Sequence, residues 1–319
     1  METGVCFPSV QVPTIGCSAM ARQVVFQVGE IGTIISNLWI LFFVILILIP
    51  ALQRWSIKSA RHALIMKIAH SMKAEVITMI HRQETVAFLG IPIARYIDID
   101  DSEEVLRAIR MADKNTPIVM ILHTPGGVAL AATQIAFALS AHPSKKTVIV
   151  PHFAMSGGTL IALAADEILM DPYGVLGPVD PQFVEGNTVY PAVSVLKVLE
   201  SKKIEDIDDR TVILADEARK ALSQIEATVR KLLTDKYPTE VVETVINEFV
   251  KGKYTHDNPI TAEDAKRIGL RVKTEIPSEV YQLMELYKME TRQRRPGVEF
   301  VPVMPGTSGG GGGRASKGD

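Results

Sequence analysis

The chain has 319 residues, 34 basic and 36 acidic side chains, a net charge of −2 and 47% apolar residues. That balance excludes a wholly disordered chain and a uniform charge coat, and it argues against a general nucleic-acid binder, which would carry a clustered basic excess. Cys6 and Cys17 are the two cysteines, so the body has no disulfide framework and no cysteine metal cluster, as expected of a fold kept in a reducing compartment. The length sets a prior of about two domains.

Between Glu30 and Arg54 lie 23 uncharged residues, IGTIISNLWILFFVILILIPALQ. As a helix this segment spans about 34 Å, enough for a hydrocarbon core of about 30 Å. It starts late, is long and has no small-x-small cleavage site, which sets it apart from a signal peptide. A transmembrane helix over 31–53 is therefore expected. Arg22 is the basic residue before it, whereas Arg54, Lys58, Arg61, Lys67 and Lys73 follow it. The excess of positive charge predicts residues 1–30 outside a cell membrane and everything after residue 53 in the cytoplasm. Cys6 and Cys17 would then face the oxidising side, where they could pair.

Residues 54–83 lack proline and glycine, and their apolar spacing predicts an amphipathic linker helix. Its basic start could lie on anionic headgroups or simply be solvated. A compact α/β region follows, assigned to 84–290. Helices are expected over Ser102–Asp113, Leu130–Ser140 and Gly158–Ala165, and buried strands over Thr116–Leu122, Thr147–Pro151 and Glu167–Met170. That alternation means βαβ units and a mainly parallel sheet. Helical periodicity then dominates Ala192–Glu200, Leu214–Leu233 and Val241–Val250, and Thr261–Arg267 reads as a short helix capped by Thr261 and stopped by Gly269. Residues 291–319, with five glycines after Ser308, read as a flexible tail.

Two loops carry the chemistry, because each follows a buried strand and precedes a helix. They are His123-Thr124-Pro125-Gly126-Gly127 and Met155-Ser156-Gly157-Gly158-Thr159. Ligands bind at such carboxyl ends of parallel strands. Paired glycines let a backbone approach closely and turn its N–H groups outward, which is what an oxyanion needs. Ser156 sits at the second turn, either as an exposed nucleophile or as a helix cap.

HTPGG followed by PHFAMSGGTLIALAADEILMDPYGVLGPVDPQ resembles the serine dehydrogenase proteinase family of membrane-bound proteases, within the wider Clp-protease/crotonase fold that includes the signal peptide peptidase A group. The resemblance covers roughly residues 75–275, including THDNPITAEDAKRIGL. It implies an α/β Clp/crotonase-like spiral of ββα units preceded by one transmembrane helix, Ser156 as nucleophile, and Gly126, Gly127 and Gly157 as candidate oxyanion donors. It also implies a peptide or protein substrate and a homo-oligomer at a membrane.

A serine nucleophile needs a proton acceptor. The signal peptide peptidase relatives use a downstream lysine, and Lys197 lies 41 residues after Ser156, a spacing similar to short archaeal relatives. Its neighbours Val193, Val195, Leu196 and Val198 would desolvate it and lower its pKa; the alternative is a surface lysine. Asp180 stands near the place where Clp peptidases carry their histidine, so a Clp-type triad is not expected. His256, with Asp257 as orienter, is the alternative base. His123 and His152 could line the cleft or serve the structure.

No His-x-x-x-His pair, cysteine cluster or Walker loop occurs, so no metal and no ATP or other cofactor is expected. Two other classes remain open: a crotonase-type acyl-CoA enzyme, which needs no serine nucleophile, and an anchored scaffold that lacks a competent base.

Overall fold

A computed structural model describes residues 17–81, 86–88, 91–93, 96–186 and 188–289. Cys6 and the glycine-rich tail lie outside these, and with them the pairing of Cys6 to Cys17. The elements are α1 (Cys17–Met72), β1 (Glu75–Ile80), β2 (Val86–Phe88), β3 (Ile91–Ile93), α2 (Ile99–Met111), β4 (Ile118–His123), α3 (Ala129–Ala141), β5 (Lys146–Val150), β6 (Phe153–Ala154) and α4 (Gly157–Leu163). They continue with β7 (Glu167–Met170), β8 (Val175–Leu176), β9 (Gln182–Glu185), β10 (Thr188–Pro191), α5 (Ala192–Ser201), α6 (Asp209–Leu233), α7 (Thr239–Phe249), β11 (Ile260–Thr261), α8 (Ala262–Ile268), β12 (Val272–Lys273) and α9 (Ser278–Met289).

Two compact units result, Met1–Ala63 and Leu64–Asp319. In the first, α1 exposes Leu38, Trp39 and the apolar side chains from Leu41 to Ile49. This helix is long and apolar enough to cross a membrane, with a mean hydropathy of 2.1 in its most apolar window. Helix α1 stops at Met72 rather than running to residue 83. Lys73 takes a positive φ of 49°, and Glu75–Ile80 leaves as a strand because it can pair in parallel with β4. The periodicity of residues 75–80 is therefore that of a sheet edge, not of a helix.

The second unit is built on a parallel sheet of five strands in the order β1-β4-β5-β7-β12. Its strands are covered on both faces, as near-continuous apolar runs require. Alternate side chains separate the two cores. Met120, Leu122, Val148 and Val150 meet α2, α3, α4 and α7. Val119, Ile121 and Ile149 face the other way, against Ile68 of α1 and Val280 and Leu283 of α9.

A second, smaller sheet crosses the ends of these strands. β6 pairs in parallel with β8, and β8 pairs antiparallel with β11. Thr124 joins by a parallel bridge to Ala154. Each pass of the chain thus makes a long strand, then a short one, then turns: β4 with Thr124 before α3, β5 with β6 before α4, β7 with β8. This is the expected ββα spiral. Helix α2 begins earlier than read from sequence, at Ile99. Asp98 caps it, accepting the Asp101 N–H while the Asp101 carboxylate takes the Asp98 N–H, and Ser102 is buried inside.

Candidate active site

Ser156 stands where β6 ends and α4 begins, with φ 50° and ψ −117°. A non-glycine residue in that conformation costs on the order of 1–3 kcal/mol and marks a strained turn. Ser156 itself is half-buried. The first turn of α4 packs too tightly for larger residues: a Cβ on Gly157 would stand 2.8 Å from Ala132 Cβ, and one on Gly158 2.6 Å from Thr124 Cγ2.

The preceding loop is fixed against this turn from both sides. Thr124 N–H donates to the Phe153 carbonyl at 3.2 Å, and Met155 N–H donates to the Thr124 carbonyl at 3.0 Å. Gly126 has φ +100°, a conformation open to glycine and strained for other residues. Its N–H is turned inward to Thr124 Oγ1 at 3.2 Å.

On the far side, Ile97 clamps the loop. Ile97 N–H donates to the Gly126 carbonyl at 2.8 Å, and Val128 N–H donates to the Ile97 carbonyl at 2.8 Å. A trans peptide holds its C=O and N–H in opposite directions. With the Gly126 carbonyl pointing at Ile97, the Gly127 N–H of the same peptide points away from it. The position of a Cβ on Gly157 would be 3.7 Å from Gly127 N, so this N–H lies beside the start of α4. Gly157 is the first residue of that helix, where N–H groups have no intrahelical acceptor. Of the three expected donors, Gly126 is therefore committed within its own loop, while Gly127 and Gly157 are brought together.

The segment Gly177–Asp180 is tied to the same turn. Thr159 Oγ1 accepts the Gly177 N–H at 3.0 Å and lies 2.7 Å from the Ala154 carbonyl and 2.8 Å from that of Gly177. Three residues on, Asp180 is buried, at 3% exposure. Its Oδ1 is 2.8 Å from His256 Nδ1, and its Oδ2 accepts from Gln182 Nε2 at 2.6 Å. The carboxylate that orients His256 is thus Asp180, not the adjacent, exposed Asp257. Local sequence could not show this contact, because it joins residues 76 positions apart.

Lys197 is exposed on α5. That helix turns Ala192 and Val195 against Ala215 and Ala218 of α6, and the exposed ammonium keeps its water within the single chain. Among the described residues, no hydrogen bond joins Ser156 Oγ to Lys197 or His256. His123 is buried, with its ring 5.5 Å from that of His152 and 4.2 Å from that of Phe153. Among the described residues no three His, Cys, Asp or Glu side chains are grouped to hold a metal ion. Ile97 was not legible as a site residue, since its role arises from pairing with a distant loop.

A serine followed by two glycines at the turn of a ββα spiral defines a Clp-type serine peptidase scaffold. The family model described as ClpP-like SDH-type serine proteinase matches residues 25–311, and the chain belongs to that family. It is 52% identical over 271 residues to the uncharacterized protein MJ0137 of Methanocaldococcus jannaschii, covering 85% of this chain and 93% of that one. Among solved structures, a mutant of the 1510-N membrane-bound stomatin-specific protease is 21% identical, with a TM-score of 0.40, over 60% of this chain and 79% of that one. ClpP1 from Listeria monocytogenes is 14% identical, with a TM-score of 0.39, over 63% and 92%.

Proposed function

We infer that this protein is a membrane-anchored serine endopeptidase that cleaves peptide bonds through an acyl-enzyme on Ser156. The observation that carries the reading is the strained Ser156 turn, with the N–H groups of Gly127 and Gly157 brought beside it. Ser156 Oγ attacks the scissile carbonyl carbon as its proton passes to a base. The carbonyl oxygen becomes an oxyanion held by Gly127 and Gly157. The base returns the proton to the leaving amine, and water then hydrolyses the ester by the same route. Family membership sets aside the crotonase-type alternative.

Lys197 is the base that the resemblance implies. A lysine serves only when burial lowers its pKa, so this role requires that α5 be covered by substrate or by a second copy of the chain. His256 is the second reading, favoured by its 2.8 Å contact with buried Asp180. A carboxylate on Nδ1 fixes the tautomer that leaves Nε2 free to accept a proton. The apolar span of α1 supports anchoring, and the basic residues after it support a cytoplasmic body. Rings or stacks of the chain would cover the exposed face of α5.

The test uses the full chain in detergent, with fluorophosphonate labelling and turnover of unfolded protein substrates. Ser156→Ala is expected to abolish both. Lys197→Ala and His256→Ala identify the base as the variant that loses acylation while keeping its fold. A wild-type chain that neither labels nor cleaves would sink the peptidase reading in favour of an anchored scaffold.

A further inference from the structure

The Gly126 N–H is held by a side-chain chain that begins outside both glycine loops. Thr124, fully buried, places Oγ1 3.2 Å from Gly126 N and 3.0 Å from Nδ1 of His81. His81 follows β1 and is 5% exposed. Its other nitrogen, Nε2, lies 3.2 Å from Asp101 Oδ2. The same Asp101 oxygen accepts the Asp98 N–H at 3.0 Å, so the start of α2 is fastened to the chain as well.

One arrangement of hydrogens uses every group. An ionised Asp101 accepts from His81 Nε2–H, which leaves Nδ1 as an acceptor. The Thr124 hydroxyl donates to Nδ1, and its lone pair accepts the Gly126 N–H. A hydroxyl that donates to a strong acceptor becomes a better acceptor itself. Together with the Ile97 N–H on the Gly126 carbonyl, this leaves Gly126 gripped at both its N–H and its C=O.

We propose that Asp101, His81 and Thr124 are positioning residues that hold the Gly126–Gly127 peptide plane and so aim the Gly127 N–H at the developing oxyanion. None of the three touches the reacting atoms. The proposal rests on the peptidase reading for its kinetic consequence, but the loop-holding role is measurable without it.

Thr124→Val keeps the methyl that packs on Gly158 and removes the hydroxyl, whereas Thr124→Ser keeps the hydroxyl and removes the methyl. In the full chain in detergent, Thr124→Val is expected to lower kcat by about tenfold to a hundredfold with KM within about twofold, since a misaimed donor is lost in the transition state alone. Thr124→Ser should restore kcat to within about threefold. Amide hydrogen exchange over residues 124–128 should rise in the valine variant and not in the serine variant. Asp101→Asn, at a partly exposed position, serves if the valine variant does not fold, and is expected to raise the same exchange. A folded valine variant with wild-type kcat overturns the proposal, as does unchanged exchange in the loop. Raised exchange in a chain whose turnover survives Ser156→Ala would instead keep the relay as a loop brace and overturn the peptidase reading.

Discussion

Gly126 faces Ser156 so closely that a Cβ built on it would stand 2.7 Å from the serine Cβ and 2.9 Å from the Met155 carbonyl oxygen. The two loops are thus in contact at the point where the nucleophile is presented, and each limits what the other can contain.

Gly126→Ala should therefore damage fold and site together. The new methyl meets backbone as well as the serine, and φ of +100° is strained for alanine. We expect a loss of about 3 kcal/mol in stability and at least a hundredfold loss in fluorophosphonate labelling. Denaturant unfolding and labelling kinetics on the same sample check both.

Ser156→Gly should do the opposite to stability while removing activity. Relieving the turn returns about 1–3 kcal/mol of strain, and the added freedom of the unfolded chain takes back about 1 kcal/mol. A net gain of about 1 kcal/mol is expected, read as a raised Tm in an inactive protein. A lowered Tm would show that the turn is not strained.

Lys236 fastens the far end of α4, the helix that follows Ser156. Its Nζ donates to the carbonyls of Leu163, Ala164 and Ala165 at 3.0, 2.9 and 3.0 Å. A cation at a helix C-terminus satisfies carbonyls that the helix cannot. Lys236→Met retains the stem and strands those acceptors, at an expected cost of about 1.5 kcal/mol given partial access of water. Unchanged unfolding in denaturant would refute this.

Glu167, at the start of β7, is flanked by Lys273 and by Lys145 Nζ at 2.7 Å. Hydrogen bonds from Lys145 and then Lys273 hold its carboxyl below the usual value of 4.5. The folded carboxyl binds its proton less tightly than the unfolded one. Its stabilisation is therefore complete above pH 4.5 and is lost as pH falls through the folded value. Glu167→Gln should cost about 1 kcal/mol at neutral pH, and the two unfolding curves should converge in acid. A gap that persists at low pH would assign the cost to packing.

Both glycine loops and the buried strands β4, β5 and β7 were legible because they are local signals: apolar runs bounded by glycine, proline or polar residues. The cap on Thr261 and the stop at Gly269 are equally local, and the structure has both, with Gly269 at φ +103°. What escaped was set at a distance. Residues 75–80 read as helix until β4 offers them a partner, and with that strand goes His81. The second sheet is made of strands of two residues, too short to leave a period. Asp257 drew attention as the neighbour of His256, but folding brings Asp180 there instead. Lys197 was expected to be desolvated by its apolar neighbours, but Val195 and Leu196 pack toward α6 and the lysine itself is exposed.

The clamp at position 97 works through main-chain atoms alone. Replacing the isoleucine by almost any other amino acid leaves its amide hydrogen in place, so scanning with alanine would report packing there and pass over the grip on the Gly126 carbonyl. Proline is the one exception, since it has no amide hydrogen to give. A proline walk through residues 96–98 is the genetic instrument matched to a device written in the backbone, and its signature would be a folded protein whose serine still reacts poorly.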